Sequence, residues 1–287
     1  MIGNYTSDMP RLVIGTAQWG LDYGLTNKAG QLSDSAIEQI LAGMNEFQIH
    51  DLDTAAAYGN AESRIAKFAL PSIRIHTKVS GKDPGNAAII QRITKSLNLL
   101  ERDSLGGVLI HDWYALTAEE RESAVRQLEQ ARADSLTQKI GISIYAIDEL
   151  TPANQLFNGI FTAQIPINIL DQRFVAAHEN FPSIEFQARS IFLQGLLLKR
   201  TGEFKEHTDL LQVEKFSQDN DLSPLDTNLR FISQQEWLDS VILAPTSITE
   251  LQELCQAWDN SRSNSLSLDF NRLQSRDARL IDPRTWS

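Results

Sequence analysis

The run Asp53-Thr-Ala-Ala-Ala-Tyr58-Gly-Asn-Ala-Glu62 puts a carboxylate and a phenol five residues apart, just after the apolar stretch Phe47-Gln-Ile-His-Asp-Leu. If that stretch is a strand, Asp53 stands at its end and Tyr58 in the loop beyond. Both side chains can then enter one pocket. Two further segments end in groups of related chemistry. His76-Thr-Lys78-Val-Ser offers an ammonium, and Gly107-Val-Leu-Ile-His111-Asp-Trp113 an imidazole. Together the four groups suit reduction of a carbonyl, whose oxygen needs a proton as hydride reaches the carbon. A free phenol, with a pKa of about 10, holds its proton too tightly for that near neutrality. The charge of Lys78 is expected to stabilise the Tyr58 phenolate and lower that pKa. Asp53 would pair with Lys78 so that the cation is not buried alone. His111 would hydrogen-bond the substrate oxygen and orient it. Taken singly the same residues have ordinary roles: a rim salt bridge, a helix cap, a core histidine, a packed ring.

These groups need elements to hold them. Eight β-rich runs alternate with helical patterns: Leu12–Ala17, Gln48–Thr54, Ile73–Val79, Gly106–Asp112, Lys139–Ile144, Phe161–Asn168, Ser183–Ser190 and Ser240–Pro245. Ile89, Ile93, Leu97 and Leu100 form one apolar stripe at helical spacing, and Leu251, Leu254, Cys255 and Trp258 another. Ser35 with Glu38 and Thr117 with Glu120 read as capping boxes. The segment Gln218-Asp-Asn-Asp-Leu-Ser-Pro224 reads as a break between two helices. Alternation of this kind implies parallel strands. Eight units in 287 residues predict an α/β chain folded as one closed (β/α)8 TIM barrel, a single domain over 1–287. No Gly-x-Gly-x-x-Gly follows the first strand, which weighs against an open nucleotide-binding sheet. In such barrels the chemistry lies at the C-terminal strand ends, where Asp53, Lys78 and His111 all fall.

The Asp, Tyr, Lys, His set, in this order on the second, third and fourth strands, resembles the tetrad of the aldo-keto reductases, and Asp53–Glu62 resembles that family's active-site segment. The likeness runs from about residue 11 to about residue 258. Gly15-Thr16-Ala17-Gln-Trp19-Gly is similar to the family's first strand and glycine turn, and Lys95-Ser-Leu-Asn-Leu-Leu100 to its fourth helix. Gly141-Ile-Ser143, Gln164-Ile-Pro-Ile-Asn168 and Arg189-Ser190-Ile-Phe-Leu-Gln-Gly-Leu-Leu197 are similar to the fifth, sixth and seventh strand ends. The resemblance implies NADPH or NADH as cofactor and a small carbonyl compound as substrate. It implies Ser143 and Gln164 at the nicotinamide carboxamide, and the seventh and eighth strand loops at the pyrophosphate and adenosine ribose. Gly15, Thr16, Ala17, Arg189, Ser190, Ser247 and Gln252 complete the implied cofactor contacts. Trp19 and Trp113, with Tyr114, are expected to line or flank the substrate mouth, and Asp22, Tyr23 and Asn27 of the long first loop to offer polar contacts.

The chain departs from the family on the cofactor side. Ile144 replaces the asparagine after the fifth-strand serine, and Arg189 the aromatic that stacks on nicotinamide. A guanidinium there would repel the oxidised nicotinamide; alternatively it turns outward, binds pyrophosphate or pairs with an acid such as Glu185. The eighth loop, Ala244 to Gln252, carries no cation for a 2′-phosphate, though Ser247 with Glu250 can cap the following helix. Two other readings stay open: a lyase or aldolase using Lys78 as a Schiff-base amine, and a catalytically weak barrel acting as a cofactor- or ligand-binding regulatory protein.

A net charge of −11 argues against a nucleic-acid partner. Cys255 is the lone cysteine, so neither a disulfide framework nor a metal site is expected. No membrane span and no signal segment are expected, and the cytoplasm is the expected compartment. The oligomeric state is not legible in the sequence.

Overall fold

A computed structural model describes residues 10–27, 30–68, 70–82, 88–263 and 268–286. Eight parallel strands close into a barrel: β1 Arg11–Gly15, β2 Asp51–Asp53, β3 Arg74–Val79, β4 Leu105–Ile110, β5 Thr137–Ser143, β6 Phe161–Pro166, β7 Ile184–Arg189 and β8 Ser240–Leu243. Each is paired in sequence order, and β1 closes on β8 with Arg11 opposite Ser240. The chain is therefore a (β/α)8 barrel. The strands are apolar on both faces because each is covered inside by the barrel and outside by a helix. Val13, Ile14, Val108, Ile142, Ala163 and Val241 are all buried. Register brings Asp53 beside Gly15 on one side and His76 on the other, and sets Lys78 against Leu109.

The helical stripes pack as expected: Ile89, Ile93, Leu97 and Leu100 are buried in the helix Ile89–Leu100, and Leu251, Leu254, Cys255 and Trp258 in Ile248–Ser263. Thr117 and Glu120 form the capping box of Ala118–Ala133. The expected break separates helices Thr208–Asp219 and Pro224–Ser233, with Ser223 capping the second. Two expectations are corrected. The first long helix, Asp34–Glu46, is capped by Ser33, whose hydroxyl accepts from Ala36 N; Ser35 lies inside it. The second strand does not begin at Gln48. That residue has φ of 55° and closes the helix, with Ile49 N donating to Met44 O, so extended pairing starts three residues later, at Asp51.

The segment 268–286 crosses the loops at the C-terminal strand ends. Ser275 N donates to Leu170 O, Gln172 Nε2 donates to Phe270 O, and Trp286 packs on Phe204. Among the described residues no helix is long and apolar enough to cross a membrane.

Candidate active site

Strands β2 and β3 deliver the carboxylate and ammonium to the same point. Lys78 Nζ donates to Asp53 Oδ2 at 2.6 Å and to Thr54 O at 2.9 Å, and both side chains are almost wholly buried. The other Asp53 oxygen accepts from Gln164 Nε2 at 2.9 Å. Above the pair, Lys78 Nζ lies 5.1 Å from the centroid of the Tyr58 ring. His111, just beyond β4, meets that ring edge-on at 5.9 Å. The four expected catalytic residues therefore converge at one place at the C-terminal end of the barrel.

The loop that carries Tyr58 is held by contacts the sequence did not single out. Glu62 is buried and accepts from Thr77 Oγ1 at 2.6 Å, which ties the loop to the strand bearing Lys78. Gly20 and Gly59 lie back to back. A Cβ on Gly20 would collide with Tyr58 O, and one on Gly59, at φ of 56°, with Gly20 O. Only glycine permits this approach. The visible signal was the Tyr-Gly-x-x-Glu pattern itself, which marks a tight turn followed by an acid.

Burial dominates the electrostatics. Dense packing desolvates the phenol and pushes the Tyr58 pKa up, outweighing the pull of Lys78 in the other direction. The expected lowering is thus corrected: the ammonium limits a rise rather than producing a fall, and the phenol keeps its proton. Burial would depress Lys78, but Asp53 and then Tyr58 outweigh it and hold the pKa above its ordinary value. A Schiff-base amine needs the opposite shift, so the lyase reading has no support at Lys78. Burial, then Lys78, lowers His111 to about 4, leaving a neutral imidazole near neutrality.

The His111 shift has a consequence for stability. Between about pH 4 and 6.5 the unfolded chain binds a proton at this histidine that the folded chain refuses, so folded stability falls as pH drops through that window. The effect is at most about 3 kcal/mol. His111→Asn should shrink the difference between urea midpoints at about pH 4 and about pH 7. An unchanged difference would place no refused proton at His111.

The implied cofactor contacts are placed as follows. Gly15 ends β1, where a Cβ would press on Ile242 of β8. Thr16 is buried and binds Asp53 O through both its backbone N, at 2.9 Å, and its Oγ1, at 3.0 Å. Ala17 opens the short helix Ala17–Gly20. Ser143 and Gln164 are register partners at the ends of β5 and β6. Both amide hydrogens of Gln164 are committed, to Asp53 and to Gln187 Oε1 at 2.7 Å, leaving its oxygen as an acceptor. Ser190 has φ of 57°, and its carbonyl accepts from Asn168. Ser247 Oγ accepts from Glu250 N at 3.1 Å and so caps Ile248–Ser263, while the Glu250 carboxylate turns back to Thr246 N and Oγ1, each at 2.7 Å. Gln252 is exposed in the second turn of that helix.

Arg189 turns toward β5. Nη2 donates to Ile144 O at 2.9 Å, Nη1 to Ser190 Oγ at 3.2 Å, and the guanidinium stacks 4.1 Å from the centroid of Tyr145. Pairing with Glu185 is ruled out, because Glu185 lies near the opposite end of β7 and pairs with Lys139.

The expected substrate walls are corrected. Trp19 and Trp113 both have 0% exposure. Trp113 packs against Phe157 and under Arg121, beneath the outer helices rather than at the mouth, and Trp19 belongs to the core. Among the described residues the exposed aromatics are Tyr114, at 49%, and Tyr23, at 43%. Tyr114 meets Tyr145 edge-on at 6.0 Å, and Arg284 from the C-terminal segment lies 3.6 Å from the Tyr145 centroid and 4.9 Å from that of Tyr114. Neither Tyr145 nor Arg284 stood out in the sequence, since nothing local links residues so far apart.

Comparison with known proteins gives the same fold and a family. The sequence profile described as Aldo/keto reductase family matches residues 11–267, and the chain belongs to that family. An aldo-keto reductase of Mycobacterium marinum is 33% identical over 125 residues, which is 42% of this chain and 44% of that protein. The chain thus spans less than half the length of the curated relatives it matches. In fold it is similar to the aldo-keto reductase AKR11C1 of Bacillus halodurans in its holo form, with TM-score 0.73, 16% identity and 93% of each chain covered. It is also similar to the glycerol dehydrogenase AKR11B4 of Gluconobacter oxydans, with TM-score 0.65, 15% identity, and 92% of this chain and 98% of that one covered.

Proposed function

We propose that this chain is an oxidoreductase that reduces a small aldehyde or ketone to the alcohol with NADPH or NADH. The observation that carries the reading is the buried Asp53–Lys78 pair at 2.6 Å directly beneath Tyr58, with His111 facing the same ring. A reduced nicotinamide, when bound, supplies the hydride. Tyr58 gives the phenolic proton to the carbonyl oxygen, and the adjacent ammonium of Lys78 stabilises the phenolate that results. Asp53 keeps Lys78 charged and in place. Neutral His111 donates a hydrogen bond to the same oxygen and orients it before transfer.

The residues present fit a dinucleotide. In the loop after β7, Ser190, Leu193, Gln194 and Gly195 all have positive φ, at 57°, 49°, 54° and 88°. Three of the four are not glycine, and such strain is retained at ligand-binding loops, here held in shape by Leu193 N and Gly195 N donating to Ser190 O and Phe192 O. The helix beginning at Ile248 presents its positive end beside the Ser247 cap, suited to a phosphate. Ser143 and the oxygen of Gln164 are the proposed carboxamide contacts. Gly15, Thr16 and Ala17 flank the cofactor at the end of β1, and Gln252 lies beside the adenosine end.

Titration of both reduced cofactors, followed by a panel of aldehydes and ketones, tests the proposal. Absence of turnover with every pair would contradict it. The cofactor preference should be weak or tilted to NADH, because the eighth loop has no cation and carries the negative charge of Glu250 near its helix start. A charge-assisted contact contributes about 1.5–3 kcal/mol, so a missing clamp lowers relative NADPH affinity by about one to two decades. A preference for NADPH of about a hundredfold would mean that another cation supplies the clamp. Of the two cations that follow the β7 loop, Arg200 is engaged with Glu214, which leaves Lys199 as the candidate.

A further inference from the structure

We infer that Arg189 is the seat for a carboxylate carried by the carbonyl substrate, an inference that rests on the proposed reduction and names its substrate class. The guanidinium is partly buried at the end of β7, and its Nε–H is fully buried with no hydrogen-bond partner. Among the described residues its other bonds go to a carbonyl and a hydroxyl, and it forms no ion pair. Arg64, Arg74, Arg173 and Arg200 each meet a carboxylate. Arg284, stacked on the same Tyr145 ring, is answered by Asp282 at 2.6 Å. The Arg189 charge therefore stands unanswered in a chain of net charge −11. Keeping a cation partly buried without a counter-charge is costly. A planar fork of N–H donors matches a carboxylate in both shape and charge.

The guanidinium of Arg189 bridges the β7 loop and β5. The proposed phosphate contacts follow β7 and β8. Beyond Ser190 Oγ, which belongs to the β7 loop, Arg189 donates to Ile144 O just past β5 and stacks on Tyr145, whose ring also meets Tyr114 and Arg284. Arg189 ends β7 at the same C-terminal rim of the barrel at which Asp53 ends β2 and His111 follows β4. The substrate class is a short carbonyl acid, with the carbonyl at Tyr58 and the carboxylate at Arg189.

The test has a binding arm and a turnover arm. In isothermal titration without cofactor, the intact protein should bind succinate at least about tenfold more tightly than succinamide, and Arg189→Gln should abolish the difference. Arg189→Lys, which keeps the charge but not the fork, should fall between them, so the result does not depend on one variant folding. In turnover, the ratio of kcat/KM for 4-oxobutanoate over butanal should drop about ten- to a hundredfold in Arg189→Gln. Equal binding of succinate and succinamide by the intact protein would overturn the inference. So would an unchanged turnover ratio with both substrates weakened together, the mark of a cofactor-phosphate ligand. If neither aldehyde is reduced, this substrate class fails while the reductase reading stands or falls on the wider panel, and the succinate arm alone decides whether Arg189 is an anion seat.

Discussion

Tyr58→Phe is expected to reduce kcat by about 10²-fold or more while leaving the affinity for reduced cofactor nearly unchanged. The substitution keeps the ring, with its edge contact to His111 and its position over Lys78, and removes only the hydroxyl. No other group at that point is a ready donor in its place: His111 is neutral and poorly basic, and Lys78 is committed to Asp53 and Thr54. Steady-state kinetics alongside a fluorescence titration of reduced cofactor separates the two effects. Full turnover in this variant would remove Tyr58 as the acid. A parallel loss of cofactor affinity would make the ring a binding surface instead.

Lys78→Met should be as damaging to turnover and more damaging to the fold. The ammonium proposed to stabilise the phenolate disappears, and among the described residues Asp53 is left as a buried carboxylate supported by Gln164 alone. Breaking a buried ion pair from one side costs about 3–5 kcal/mol, because the surviving charge has no partner. Urea denaturation should show that loss as a shift of the midpoint. Adding Asp53→Asn to Lys78→Met should restore most of the stability without restoring kcat. Recovery of turnover in the double variant would show that the lysine acts only by balancing Asp53.

The parts of the site that were legible are those fixed by local sequence. Asp53 and Tyr58 are joined by one short turn, and Lys78 and His111 sit at the ends of apolar runs whose period gives their place on the barrel. What was not legible depends on long-range packing. Trp19 and Trp113 lie beside site residues in sequence, yet nothing local shows whether a tryptophan faces a mouth or an outer helix. The rise of the Tyr58 pKa depends on how tightly the phenol is packed, which spacing does not encode. Arg284 reaches Tyr145 across more than a hundred residues of chain. The start of the second strand was set too early because Gln48 sits between apolar neighbours while its own φ is left-handed. Arg189 was visible as a departure, but its direction, toward β5 and Tyr145, came only with the fold.

In the proposed reaction, hydride and proton meet at a carbonyl held between Tyr58 and His111. Its most direct test is to supply reduced cofactor deuterated at the transferable C4 position with a carbonyl substrate and to analyse the product by mass spectrometry. The account predicts an alcohol with a single deuterium on the carbinol carbon, formed by the intact protein and almost absent with Tyr58→Phe. An alcohol without deuterium at that carbon, or equal deuteration by the intact protein and Tyr58→Phe, would contradict it.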